Sequence, residues 1–157
     1  MLKFAAMQVR PLTDADVAAI AGWRYPGRYA TYDCIDAADL ARDHWAVTEH
    51  DELVGYCGFG APARVTATTP EAGTLDIGYG MKPGLMGAGR GRRFVAAILA
   101  FALAREDPQR LRLYVLDWNE RSRRVAAAHG FVVQSAVQSD GERYLVMLRA
   151  ARSPSRS

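Results

Sequence analysis

The sequence predicts an α/β fold: a single domain with a mixed, mostly antiparallel sheet, a central parallel strand pair and helices on both faces. Three observations carry this. Strand-like and helix-like segments follow the order β-α-α-β-β-β-α-β-α-β-β. At the centre, strand, helix and strand occupy residues 74–117, and a crossover of that length makes its two strands parallel with a right-handed connection. Short turns elsewhere join neighbouring strands into hairpins, which are antiparallel.

Each element has its own signal. "KFAAMQVRPL" reads as the first strand. Thr13 then caps a helix, with Asp14 and Asp16 in the first turn and Val17, Ile20 and Ala21 at helical spacing. "YPGRYATYD" is an aromatic loop, and "DAADLAR" a short second helix. "HWAVTEHDELVGYCGFG" is a hairpin turning at His50 and Asp51. "TLDIGYGMK" is the fourth strand. A long helix spans about 89–105, with Phe94, Val95, Ile98, Leu99 and Ala102 on its buried side. "RLRLYVLD" is the fifth strand and "NERSRRVAAAHG" the fourth helix. "FVVQSAVQ" and "ERYLVMLRA" form a closing hairpin. The domain covers residues 1–150, and 151–157 form a polar C-terminal tail. A chain of 157 residues has room for one core of this kind.

Composition narrows the function. Apolar residues make up 50% and charged residues 24%, as in a soluble globular protein, and no apolar run is long enough for a membrane span. The N-terminus reads without a secretion signal, so the expected location is cytoplasmic. Cys34 and Cys57 are too few for a disulfide framework or a zinc site and are expected as free thiols; no metal is expected. The net charge of +3 comes almost wholly from arginine, since Lys3 and Lys82 are the only lysines. It suits a solvated surface or a site for an anionic ligand. No basic run interleaved with aromatics points to nucleic acid.

The stretch "KPGLMGAGRGRRF" carries the chemistry. Gly84, Gly87, Gly89 and Gly91 are threaded with Arg90, Arg92 and Arg93. The nucleotide P-loop is excluded because Arg90 and Gly91 stand where Lys and Ser/Thr are required. The dinucleotide fingerprint fails because Arg92 occupies its last glycine position. What remains is an anion cradle, with a tight turn that merely needs positive φ as the alternative. The first N–H groups of a helix lack backbone partners, the helix dipole adds positive charge, and glycines let an anion approach. In the preceding strand, Leu75, Ile77, Tyr79 and Met81 share one face, and Asp76, Gly78 and Gly80 the other. Glycines in a strand mark close approach by a ligand or another backbone, so a groove is expected along this face.

Residues 74–131 resemble the GNAT superfamily of acetyl-CoA-dependent N-acetyltransferases. Met86-Gly87-Ala88-Gly89-Arg90-Gly91 stands where that family has [QR]-x-x-G-x-[GA], with Met86 replacing the leading Gln/Arg. The second signature, an Asn after the next strand and a helix ending in Gly-Phe, is met by Asn119, Gly130 and Phe131. The resemblance implies acetyl-CoA as co-substrate. It implies that the amides of Gly87, Ala88, Gly89, Arg90, Gly91 and Arg92 hold the pyrophosphate. Tyr79 and Met81 would pair with the pantetheine arm like an extra strand, and Asn119, also a good helix cap, would bond to the arm. Arg92 or Arg93 would reach the 3′-phosphate, or simply lie on a solvated helix face.

The implied reaction moves acetyl from a thioester to a primary amine by direct attack. The acceptor is a small-molecule or protein amine. The amine must first lose a proton, and Asp76, on the glycine face of its strand, is the candidate base; its alternative is a solvent-facing strand-end charge. Glu49 and Glu52 read as surface residues. The family usually carries a tyrosine near the leaving sulfur where this chain has Ala126. That departure keeps open a second reading, an acyl-CoA-binding module with weak or no catalysis. His129 reads as structural, and Tyr114 and Tyr144 are other hydroxyl donors. Trp23, Tyr25 and Tyr29 in the aromatic loop are the candidate acceptor site, as a cage for a cationic amine or as a cover over the sheet edge. Oligomeric state, a homodimer included, is left open.

Overall fold

Among the described residues, seven strands join in one sheet. The structure is a computed structural model that describes residues 6–34, 37–40, 44–87 and 89–152. Its strands are β1 (Gln8–Pro11), β2 (His44–Glu49), β3 (Glu52–Phe59), β4 (Thr74–Met81), β5 (Arg110–Leu116), β6 (Val132–Ser139) and β7 (Glu142–Ala150). They lie in the order β1-β2-β3-β4-β5-β7-β6. β4 and β5 are the parallel pair, with Thr74, Leu75 and Asp76 opposite Arg110, Leu111 and Arg112. β2–β3 and β6–β7 are antiparallel hairpins, as their turn residues foretell. His50 and Asp51 both take left-handed φ, of 51° and 64°, the conformation that matches a two-residue hairpin to strand twist. β1 stands at one edge of the sheet, where Pro11 costs no ladder bond on a neighbouring strand.

The α-helices among the described residues are α1 (Asp14–Ala21), α2 (Arg90–Arg105) and α3 (Glu120–Ala128). Thr13 caps α1 as expected. Its hydroxyl accepts from the Asp16 N–H at 3.1 Å, and its own N–H donates to the Asp16 carboxylate at 2.8 Å. This reciprocal box satisfies two amides that a helix start leaves without partners. The helix expected at residues 36–42 differs: its described part is a single 3₁₀ turn, Ala37–Asp39. Among the described residues of this stretch, Leu40 is the buried anchor. The aromatic loop contains a second 3₁₀ segment, Gly27–Tyr32, and Ala61–Ala63 forms a third.

The chain divides into two compact units. The first takes Met1–Gly58 and Tyr79–Ile98. Its core gathers Ile20, Trp23 and Leu40, with Val17, Leu53 and Tyr56 packed against them. Phe94, Val95 and Ile98 of α2 are also buried in this unit. The second takes Phe59–Gly78 and Leu99–Ser157. It buries Leu99, Ala102, Leu111, Leu113, Leu116, Phe131 and Met147. All five positions expected on the buried side of α2 are at most 5% exposed. Among the described residues, no helix is long and apolar enough to cross a membrane.

Candidate active site

The glycine loop joins β4 to α2. Gly84, Gly87 and Gly89 adopt φ of +88°, +113° and +78°, a region that side chains with a Cβ avoid. Yet a Cβ built on any of the three would have nothing within 4 Å. Space is therefore not what requires glycine here; backbone conformation is. Backbone concavities that bind anions are built from residues in such conformations. Ala88, expected to share the cradle, lies outside the described residues. Beyond it, the Arg90 N–H donates to the Gly87 carbonyl at 3.1 Å and the Arg93 N–H to Gly89 at 3.4 Å, which starts α2. The first turn of α2 holds no acidic residue. Arg92 is exposed, and Gly91 and Arg90 are half-buried. Arg93 is ion-paired with Glu49 at the end of β2. Glu49 is thus no free surface charge, as the sequence suggested; only 15% of its side chain is exposed.

β4 leads into this loop, and its glycine face is not an open groove. A Cβ on Gly80 would lie 2.7 Å from the Tyr56 ring, and one on Gly78 3.2 Å from the Ala63 Cα. The close approach that these glycines permit is by the protein itself. Tyr79 packs edge-on against Phe94, with ring centroids 5.8 Å apart. The Met81 carbonyl accepts a 2.5 Å hydrogen bond from the Tyr25 hydroxyl.

Asp76 also departs from expectation. Its side chain has no exposed surface. Arg112 donates to both carboxylate oxygens, at 2.5 and 3.1 Å. Arg64 adds a bond of 3.0 Å and the Tyr114 hydroxyl one of 3.1 Å. The bond to Asp76 holds the Arg112 guanidinium above its already high ordinary pKa. Burial, first of all, pushes the Tyr114 phenol up. A carboxylate with four donors and no exposed surface has the surroundings of a buried counter-ion. Its sequence signal was the pairing of Asp76 with Arg112, opposite charges facing each other in neighbouring strands.

The three aromatics expected at the acceptor side separate. Trp23 and Tyr25 are each 9% exposed and belong to the interior. Trp23 lies 6.3 Å from Tyr56, centroid to centroid. The Tyr25 N–H donates to Asp33 at 2.8 Å, and burial pushes its phenol well above the ordinary tyrosine value. Burial likewise moves Tyr56 up to about 12. Tyr29 and Tyr32 are both half-buried, with ring centroids 6.3 Å apart.

Asn119 is 5% exposed and caps α3, accepting from the Ser122 N–H at 3.1 Å. Ala126 is fully buried, and its carbonyl accepts from the Phe131 N–H at the turn made by Gly130. The His129 carbonyl accepts from Arg149 at 3.1 Å, in keeping with a structural residue. Tyr144 is half-buried, and burial raises its pKa. Neither Cys34 nor Cys57 is in a disulfide, and burial drives the Cys57 thiol up to about 12. Among the described residues, no group of side chains is gathered to hold a metal ion.

Comparison with known proteins agrees with this architecture. The aminoglycoside acetyltransferase AAC(6')-Ib, bound to ribostamycin and coenzyme A, superposes with a TM-score of 0.76 at 18% identity, over 98% of this chain and 100% of that one. A spermidine N-acetyltransferase chimera of Vibrio cholerae SpeG and hSSAT gives 0.72 at 13%, over 94% and 96%. The ribosomal-protein-S5-alanine acetyltransferase of Vibrio fischeri gives 0.63 at 18%, over 96% of each chain. Among curated proteins no sequence match was found. Residues 6–132 match the Acetyltransferase (GNAT) domain, which spans the glycine loop and α3 alike. The chain therefore belongs to the GNAT acetyltransferase family.

Proposed function

We propose that the chain is an N-acetyltransferase that moves acetyl from acetyl-CoA to a primary amine by direct attack. The observation that carries this is the loop of left-handed Gly84, Gly87 and Gly89 opening onto α2, within a chain of the GNAT family. Acetyl-CoA supplies the activated thioester. The protein binds and orients. Backbone amides of residues 87–92 receive the pyrophosphate, except that of Arg90, which already donates to the Gly87 carbonyl, and Arg90 and Arg92 add positive charge. Tyr79 takes the pantetheine arm. Met81 contributes less, because Tyr25 already occupies one lone pair of its carbonyl. The Asn119 oxygen is committed to the cap, so its amide N–H₂ is what it offers the arm. Tyr29, with Tyr32, faces the cationic amine.

Proton removal from the amine falls to water rather than to Asp76, which acts as a structural counter-ion. Position 126 offers no acid for the leaving thiolate. A thiol has a pKa of about 8.5, so it leaves near neutral pH without full protonation. Neighbouring folds act on an aminoglycoside, a polyamine and a protein alanine, according to their names, so a small amine or a protein N-terminus is the acceptor class to test.

Acetyl-CoA at 100 times its Kd should stabilise the chain by about 2.7 kcal/mol. At this size that raises Tm by roughly 5–11 °C. No shift would defeat the proposal. A shift should be followed by thiol release with an amine panel of aminoglycosides, spermidine and an alanine-ended peptide. A shift without release would favour the second reading, an acyl-CoA-binding module, for which buried Ala126 is the supporting feature.

A further inference from the structure

We infer that Glu49 is a built-in competitor for the phosphates of the cofactor, lowering affinity by holding Arg93. The inference rests on the acetyl-CoA reading above and concerns the same loop. Arg90, Arg92 and Arg93 crowd the first turn of α2, which contains no acid. Three cations at the positive end of a helix dipole repel one another and the dipole. The ion pair at this turn is supplied from another element, by Glu49 at the last position of β2. Its carboxylate is mostly covered, whereas 38% of the Arg93 side chain remains exposed.

That asymmetry decides the role. A partly exposed ion pair adds little to stability, so opening it costs little. A phosphate monoester offers Arg93 a more highly charged partner that can likewise accept two parallel bonds from its guanidinium. When Arg93 turns to that partner, Glu49 stays on its strand end as an uncompensated negative charge beside an anion site. Both effects weaken binding: Glu49 neutralises a cation before the ligand arrives and repels the ligand afterwards. The opposite role, in which Glu49 sets Arg93 in place for the phosphate, predicts the opposite sign. One unit charge removed at this range changes affinity by about three- to tenfold.

The test is calorimetric titration of the full chain with CoA. Glu49→Gln should bind about three- to tenfold tighter than the parent. Glu52→Gln, opposite Glu49 across the hairpin but exposed, makes the same change in net charge and should tighten binding much less. In an Arg93→Gln background, Glu49→Gln should recover only the smaller, repulsive part of its gain. Unchanged or weaker binding by Glu49→Gln overturns the inference, as does an equal gain from Glu52→Gln or an undiminished gain in the Arg93→Gln background. Thermal melts of each variant establish that it is folded. A parent chain that does not bind CoA would instead bring down the proposed function, and this inference with it.

Discussion

Asp76→Asn removes the buried negative charge that Arg112 and Arg64 meet, leaving Arg112 with the exposed Glu71 carboxylate 3.7 Å away. The carboxylate has no exposed surface, Arg112 beside it is 10% exposed, and Arg64 is 19% exposed. Asparagine keeps the shape and one acceptor oxygen. It also turns an –NH₂ group toward donors and leaves the buried guanidinium of Arg112 short of its counter-charge. Breaking a buried pair from one side costs about 3–5 kcal/mol. Domains of this kind have only about 5–15 kcal/mol in total, so the variant should be gravely weakened. In a thermal melt the loss is roughly 6–20 °C for a chain of this length. Urea unfolding gives the free energy directly, and the slope should stay unchanged. Replacing Asp76 and Arg112 together by Leu and Met should cost less than the single change, because no unpaired charge is left at that pair. The reasoning fails if Asp76→Asn keeps its stability within about 1 kcal/mol while kcat falls selectively. That outcome would mean the carboxylate meets the substrate after all.

Gly89→Glu should abolish detectable CoA binding, through a like charge in the cradle and a left-handed φ that costs a residue with a Cβ about 1–2 kcal/mol; titration calorimetry reads it. Tyr25→Phe strips the Met81 carbonyl of its donor and should cost about 1–3 kcal/mol in urea unfolding, whereas Tyr29→Ala should raise the acceptor KM and leave stability and CoA binding nearly unchanged. Asp16 is held at about 2, chiefly by the Arg10 hydrogen bond against the opposing pull of burial, with Thr13 helping. Its pKa is depressed in the folded chain, so its contribution is complete above an unfolded value of about 3.9 and is lost as pH falls toward 2. Arg10 is 38% exposed, so screening reduces that contribution to about 1–2 kcal/mol. Stability of Asp16→Asn relative to the parent, measured between pH 2 and 5, should show the difference shrinking across that window.

What could be read from the sequence was local. The α1 cap rests on three neighbouring residues, and the buried side of α2 on one helical repeat. The hairpin turn at His50 and Asp51 rests on two residues. The glycine loop was legible because its spacing and its lack of Lys and Ser/Thr excluded other cradles. What escaped depended on partners far along the chain. Asp76 shares a strand face with glycines, but Arg64, Arg112 and Tyr114 come from other segments to enclose it. Tyr25 looked like a cage residue because aromatic side chains serve cages and cores equally well; its bond to Met81, 56 positions away, decided for the core. Glu49 resembled a surface charge because Arg93 lies 44 positions further on.

The contacts around Asp76 also tether the segment that follows β3. Arg64 reaches inward to the carboxylate, the Gly60 N–H donates to the Asp76 carbonyl at 2.9 Å, and Arg112 donates to the Thr69 carbonyl at 2.8 Å. Arg64 is at the same time a basic residue in a surface segment, the sort of place where trypsin cuts. Its guanidinium, however, is inside and cannot enter a protease pocket while the ion pair holds. Cleavage after Arg64 must wait for the segment to lift away, so its rate tracks how often that happens when reclosing outruns cutting. The arginine that pins the segment is thus also its own reporter: nicking at this bond counts the openings of the buried carboxylate site in native buffer.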